Sequence, residues 1–420
     1  MQRALGRTKN SLVAALDVGS TKTCCFLAEV GDDARPRVIG IGQQVSRGLR
    51  HGTVVDMDAT TQAIGKAVHS AEQMAGQQIE EVFVNMSGGN PASRTLGVDV
   101  ALSDQAVSQA ELDHAIKECH ALDLEETCEN DRDLIHSIPV GYAIDGSCGI
   151  KDPRGMFGRH LRVELHSVSA AASALRNLTT CIERAHLSVA GVVVSPYASG
   201  LAALVGDEME MGVTVIDLGG GTTSLAAFFE GNIVYSDVLP VGGDHVTNDI
   251  ARGLSTPRVH AERLKTLYGH AMSTLADEQE MVDVPQVGEE DSGSQQQVAR
   301  SVLVNVIKPR LEEILELVRN RLAGSGVGKL AGRRVVLTGG AAQLPGLGEL
   351  AALILDKQVR IGRPIRIRGL AEATSGPCYT TCAGLLTYAL AADLSCQRGG
   401  RKERGDGLFG RLSLWIKEHF

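Results

Sequence analysis

The strongest constraint on this chain is a device that it uses twice. Asp17-Val18-Gly19-Ser20-Thr21-Lys22 and, about two hundred residues on, Asp217-Leu218-Gly219-Gly220-Gly221-Thr222-Thr223 each follow a short apolar run, residues 12–16 and 213–216. Apolar runs of that length, bounded by turn residues, read as buried strands. Each strand then ends in an aspartate, with a tight turn of small residues beyond it. A carboxylate so placed can hold the water shell of Mg²⁺, a cation that keeps most of its waters and takes few protein ligands. Glycines let backbone N–H groups approach phosphate oxygens. Lys22 adds a point charge, and Ser20, Thr21, Thr222 and Thr223 add hydroxyls. One such turn is a weak signal, but one per half of the chain is what two lobes facing a single triphosphate need.

A third signal follows the apolar run 334–337: Thr338-Gly339-Gly340-Ala341-Ala342-Gln343-Leu344-Pro345-Gly346-Leu347. With the three segments in this order, the chain resembles the actin, Hsp70 and sugar-kinase superfamily, matching its two phosphate loops and its adenosine loop. The resemblance implies an α/β, two-lobed actin-like ATPase fold that binds ATP with Mg²⁺. Length agrees, because 420 residues exceed what one core supports and suit two lobes.

Composition narrows the class. The chain is 43 % hydrophobic and 22 % charged, ordinary for a soluble globular protein, and its net charge of −9 with no basic face argues against nucleic acid as a partner. Nine cysteines without C-x2-C pairs suit a reducing compartment. No signal peptide and no apolar segment of spanning length is expected.

Pattern and turn chemistry predict a first lobe over 11–90 and 163–197, with a helix at 57–75 and a strand at 82–86. An insertion at 91–162 should hold a strand at 95–102, a helix at 108–121 opened by the capping box Ser108/Glu111, and strands at 133–143 and 160–166. A helix at 169–185 returns the chain to the first lobe. The second lobe takes 198–240 and 298–392, with a small subdomain at 241–297. Its longest helix, 298–322, carries Leu303, Ile307, Leu311, Ile314, Leu315 and Val318 at helical spacing, and Pro309 should kink it. A last helix at 382–392 gives way to a Gly- and charge-rich linker, 393–406.

The inserted segment, Gly339 to Leu347, Val359-Arg360-Ile361-Gly362 with Pro364, and Glu262-Arg263-Leu264-Lys265 before Tyr268-Gly269-His270-Ala271 together resemble the FtsA family of bacterial cell-division actins. That resemblance covers residues 11–420. It implies an ATP-binding protein that polymerises, holds the C-terminal tail of the tubulin-like FtsZ on the second lobe's small subdomain, and recruits later division proteins. It further implies a peripheral protein on the cytoplasmic face of the inner membrane, at the division septum. By motif position, Asp17 and Asp217 would arrange Mg²⁺ waters and Lys22 would reach the outer phosphates. Ser20, Thr21 and Gly219, Gly220, Gly221, Thr222 and Thr223 would cradle phosphates, with Gly19 in the first turn. Gly242, Gly243 and Asp244 would sit near ribose and phosphate, Glu262 and Lys265 at the ribose and adenine edge, and Gly339, Gly340 and Ala341 against adenosine. Arg252, Arg258 and Arg263 are candidate contacts for an acidic peptide.

Two features bear on function beyond the cleft. Residues 407–420 place Leu408, Phe409, Leu412, Trp415, Ile416 and Phe420 on one helical arc, opposite Arg411, Lys417 and Glu418. Residues 397–420 carry six Lys/Arg against three Asp/Glu, a sign that favours an anionic membrane surface. Hydrolysis has no clear agent: the position where actin carries its water-orienting glutamine is Gly191, so turnover should be slow or absent. A soluble small-molecule kinase, or another actin-like assembly protein of a pilus or rod-shape system, is the competing reading. A kinase would need a general-base aspartate facing a substrate hydroxyl, and no loop offers one convincingly.

Overall fold

The computed structural model describes residues 11–31, 35–102, 106–288, 296–328 and 330–398. The expected amphipathic stretch 407–420 and most of the linker before it lie outside the described residues.

The first lobe is built on β1 (Ser11–Val18), β2 (Lys22–Val30) and β3 (Pro36–Val45), an antiparallel meander, followed by the short hairpin β4 (Leu49–Arg50) and β5 (Thr53–Val54). Helix α1 (Met57–Ala75) starts because Asp56 Oδ1 accepts the Ala59 N–H at 3.0 Å, and it stops at Gly76 with φ +66°. It lies on β3 through Gly40 and Gly42, where a Cβ would overlap the α1 carbonyls of Ala71 and Ala67. β6 (Glu81–Met86) then adds parallel to β1.

The insertion follows as β7 (Ala92–Ala101), α2 (Gln109–Glu129), β8 (Arg132–Ile144), β9 (Ser147–Ile150) and β10 (His160–Ala171). The Ser108/Glu111 capping box forms as the sequence predicts. Helix α2 runs two turns past residue 121, however, because Asp123 turns inward and is held by Arg94 at 2.9 Å and by Ser167 at 2.8 Å. β10 likewise outruns its expected end at 166. Ser167 to Ser169 pair with β7 on one side and β8 on the other, and Ala170 and Ala171 with β8, so they stay extended, and α3 (Ala172–Arg184) starts late. β11 (Ser188–Val194) closes the first sheet, in the order β11-β6-β1-β2-β3.

The second lobe opens with α4 (Ser195–Ala203) and α5 (Gly206–Met211), then β12 (Val213–Leu218), β13 (Thr223–Phe229) and β14 (Asn232–Leu239). Helices α6 (Gly243–Gly253) and α7 (Arg258–Tyr268) and the hairpin β15 (Met281–Val284) and β16 (Gln296–Ala299) make the small subdomain. Helix α8 (Arg300–Gly324) continues through Pro309 and buries the apolar stripe read from the sequence. β17 (Arg334–Thr338), α9 (Leu347–Leu355), β18 (Gln358–Ile361) and α10 (Thr380–Arg398) complete the described chain; α10 outlasts the predicted end at 392.

The strands of the second lobe and of the insertion share one nine-stranded sheet, β18-β17-β12-β13-β14-β7-β10-β8-β9. The join is Asp237 opposite Ala92, backed by Ser93 Oγ, which donates to the Ser236 carbonyl at 2.7 Å and accepts the Ser236 N–H at 2.8 Å. Between the lobes, α4 and α10 pack closely enough that a Cβ on Gly384 would overlap the Ala198 carbonyl. Among the described residues no helix is long and apolar enough to cross a membrane.

Candidate functional site

Both Asp-Gly segments fold as the sequence predicts, and for a local reason. The Gly19 N–H donates to the Lys22 carbonyl at 3.0 Å, and the Gly219 N–H donates to the Thr222 carbonyl at 2.9 Å. Each turn is thus closed within four residues, at the end of a buried strand. The two turns face each other so closely that a Cβ on Gly220 would overlap the Thr21 hydroxyl, and one on Gly221 would crowd Ser20 Oγ. Glycine is required there because the loops of the two lobes meet backbone to side chain. A further pair meets beside these turns: His51, after β4, stacks on His245 of α6 with ring centroids 5.2 Å apart.

Between the loops lies a cavity of about 580 Å³, within the range of a small-molecule or cofactor site. Asp17, Gly19, Ser20, Thr21 and Lys22 line it from one lobe, and Asp217, Gly219, Gly220, Gly221, Thr222, Gly243 and Asp244 from the other. Glu262, Lys265, Gly339, Gly340 and Ala341 line it as well, Gly339 directly against Asp217. Two sequence candidates stand behind the wall instead. Thr223 is fully buried and gives its hydroxyl to the Val241 carbonyl at 2.8 Å. Gly242 fits tightly between the Gly219 and Gly220 carbonyls, letting α6 start there, with Gly243 and Asp244 donating their N–H groups back to those same carbonyls.

Electrostatics mark the part of the cavity where the two aspartates lie. Asp17 and Asp217 are 9 % and 7 % exposed. Burial pushes the Asp17 carboxyl up to about 7; Lys22 opposes the rise and the nearby Asp217 adds to it. Burial also raises Asp217, against hydrogen bonds from Ser199 Oγ at 2.6 Å and Thr381 Oγ1 at 2.8 Å and the charge of Lys22. Two desolvated carboxylates that repel each other form a site whose charge a divalent cation would relieve. Among the described residues no three carboxylate, imidazole or thiol groups converge. The donor set therefore fits Mg²⁺ held through water and phosphate rather than a fully protein-ligated ion.

Elsewhere in the lining, Lys265 Nζ donates to Glu262 Oε2 at 2.7 Å, to Thr247 Oγ1 at 2.8 Å and to the Gly243 carbonyl at 3.2 Å. Thr247 in turn donates to Glu262 at 2.5 Å. The Glu262/Lys265 pair of α7 is therefore fixed against α6 and lines the cavity, with Val246, Leu311 and Leu344 as apolar lining. Of the arginines read as peptide contacts, Arg252 and Arg263 are exposed on α6 and α7. Arg258 is exposed too, but it reaches Asp244 at 3.3 Å and so stands at the cavity rim.

Sequence reasoning missed Gln43, Asn85, Ser195, Cys378, Tyr379 and Thr381, all of which line the cavity. Asn85 precedes the turn at Ser87-Gly88 and had a strand-end signal. Its Oδ1 accepts the Val18 N–H at 2.7 Å, and its Nδ2 donates to Ser195 at 3.1 Å. Tyr379 and Thr381 had no signal, since they follow Pro377 in a segment without a phosphate-loop pattern.

Comparison with known proteins agrees with this architecture. A family model described as cell division protein FtsA matches residues 214–384, and one described as the SHS2 domain inserted in FtsA matches 88–169. The chain is 41 % identical to the cell division protein FtsA of Agrobacterium fabrum, across all of this chain and 97 % of that one. It is 42 % identical to that of Rhizobium meliloti, with the same coverage, and 32 % identical to that of Escherichia coli strain K12, across 98 % of this chain and 99 % of that one. Two solved structures share the fold at low identity. One is a PilM-PilN type IV pilus biogenesis complex, with a TM-score of 0.65, 18 % identity and coverage of 90 % of this chain and 98 % of that one. The other is MreB5 of Spiroplasma citri bound to ADP, with 0.52, 16 %, 93 % and 99 %. The two-lobed actin-like fold, the inserted domain and full-length identity to these relatives place the chain in the FtsA family of cell division proteins.

Proposed function

We propose that this actin-like division protein binds Mg·ATP in the interlobe cavity. The observation that carries the reading is the pair of buried aspartates, one from each lobe, at the phosphate end of a cavity walled by glycine turns. Asp17 and Asp217 would hold the waters of Mg²⁺, which would neutralise the phosphate charge. The turn N–H groups left over once Gly19 and Gly219 have closed the turns, with Ser20, Thr21 and Thr222, would face the phosphates. Glu262 presents its carboxylate as an acceptor to the ribose and adenine edge, and Lys265, whose three N–H groups go to Glu262, Thr247 and the Gly243 carbonyl, holds it in place. ATP acts here as a ligand that fixes the two lobes relative to each other, with slow or absent turnover. Asp217→Ala should weaken Mg·ATP binding sharply in calorimetry while the protein stays folded, and wild-type affinity in that variant would refute the assignment.

In the same reading the chain polymerises, engages the FtsZ tail and recruits later division proteins. The exposed face of α7 supports peptide docking, because Arg258 and Arg263 flank Val259 and Leu267, which are 80 % and 59 % exposed. Residues 407–420 would tether the filament to the cytoplasmic face of the inner membrane at the septum. Liposome co-sedimentation of the full chain against residues 1–405, with and without ATP, tests that tether. Equal binding of the two forms would remove it.

A further inference from the structure

Lys22 sits where two buried carboxylates should capture it, and they do not. Asp17 and Asp217 line the same cavity, and a flexible ammonium is drawn strongly toward carboxylates in a poorly solvated cleft. Among the described residues, however, Lys22 forms no ion pair with either. Its Nζ lies 3.5 Å from the centroid of the Tyr379 ring and donates to the Cys378 carbonyl at 2.9 Å. Both partners are neutral, so the cation keeps its full charge.

The ring that holds it is itself held. The Tyr379 hydroxyl donates to Gln43 Oε1 at 2.6 Å, and the ring stacks on the fully buried Phe26 with centroids 5.9 Å apart. The following residues are tied to the second lobe, Thr380 to Thr338 at 2.7 Å and Thr381 to Asp217 at 2.8 Å. Tyr379 is thus pinned between β2, β3 and the start of α10, with one face turned to Lys22. A π face in a desolvated site stabilises an ammonium without neutralising it.

We propose that Tyr379 is the positioning residue for Lys22. Its ring and the Cys378 carbonyl keep the ammonium out of an ion pair with Asp17 and Asp217. The cation then stays available to phosphate, and the carboxylates stay available to Mg²⁺. This inference rests on the nucleotide reading of the cavity and adds to it a residue outside the three glycine signals.

The test is calorimetry of the full chain with Mg·ATP, Mg·ADP and AMP. Tyr379→Leu should weaken ATP and ADP about tenfold, with little change for AMP, and Tyr379→Phe should restore most of that loss because it keeps the ring. In a Lys22→Gln background, Tyr379→Leu should cost almost nothing further, since the cation on which it acts is gone. If Tyr379→Leu does not fold, Tyr379→Met fills similar space without a π face and is held to the same outcomes. Additive losses in the double variant, equal damage from Phe and Leu, or an equal loss for AMP would reduce Tyr379 to a packing residue and overturn the proposal. A wild-type chain that binds neither ATP nor ADP would overturn the cavity's nucleotide reading, and this proposal with it. Nucleotide binding with an additive cycle would overturn this proposal alone.

Discussion

Thr381 donates its hydroxyl to the Asp217 carboxylate at 2.8 Å across 164 positions of sequence. Ser199 donates to the same oxygen at 2.6 Å, and the two hydroxyls lie 3.0 Å apart. Helices α4 and α10 therefore meet on the one aspartate that ends the second lobe's central strand. The carboxylate is oriented from behind, so its geometry depends on how the two interlobe helices pack.

That dependence has a cost when one donor is removed. Thr381→Val keeps the shape but leaves a buried carboxylate short of a hydrogen bond, so stability should fall by about 1–3 kcal/mol. Thr381→Ser should recover most of it. Urea unfolding of the three proteins decides the matter, and a Val variant as stable as the wild type would show that Ser199 alone suffices.

Stability should also fall in mild acid. His136 and His166 are both buried, on neighbouring strands β8 and β10. Burial holds His136 down to about 3, with His166 beside it adding to the effect, and burial holds His166 down to about 4. The unfolded chain binds protons on both below about pH 6.5, whereas the folded chain stays neutral until its depressed values are reached. Stability contributed above pH 6.5 is thus lost as pH falls toward 4, at about 1.4 kcal/mol per pH unit for each imidazole. Denaturant midpoints at pH 7, 6 and 5 should fall, by less than the two imidazoles alone would give because Asp17, raised by burial to about 7, contributes with the opposite sign, and His166→Leu should flatten the fall. An unchanged slope in the variant would mean that other groups set the acid limit.

Gly42→Ala should be strongly destabilising although it adds one methyl. The new Cβ would overlap the Ala67 carbonyl, a backbone atom of α1 that can move only with its helix. Overpacking of this kind costs about 1–3 kcal/mol, and thermal melting should show it. Gly65→Ala on α1 meets no atom within 4 Å and serves as the control, with little change or a gain expected there.

Trp415→Glu should release the chain from anionic liposomes. Trp415 is the only tryptophan, and helical spacing would put it on the apolar arc expected for residues 407–420. Burial there is worth roughly 25 cal/mol per Å², offset by about 1–2 kcal/mol per residue ordered, so single anchors bind weakly and assembly raises avidity. Binding should fall in high salt. Liposome binding undiminished in the variant would mean that the segment docks on protein.

What the sequence determined by itself was whatever closes over a few residues. The two Asp-Gly turns are fixed by Gly19 to Lys22 and Gly219 to Thr222, and α1 by Asp56 and Gly76, so their patterns are local and legible. The apolar stripe of α8 is equally local, because helical spacing alone puts its residues on one face. Only the tertiary structure decided the rest. The last turns of α2 exist because Arg94 and Ser167, on other strands, hold Asp123 inward. The insertion joins the second lobe's sheet where Asp237 lies opposite Ala92 and Ser93 bonds Ser236, a join that no periodicity marks. Tyr379 enters the cavity because the cation it faces lies 357 positions away, and Thr381 because Asp217 does the same across the base of the cleft. A side chain whose role is set by a distant partner carries no local signature: its neighbours in sequence do not feel the charge or the cavity that gives it work to do.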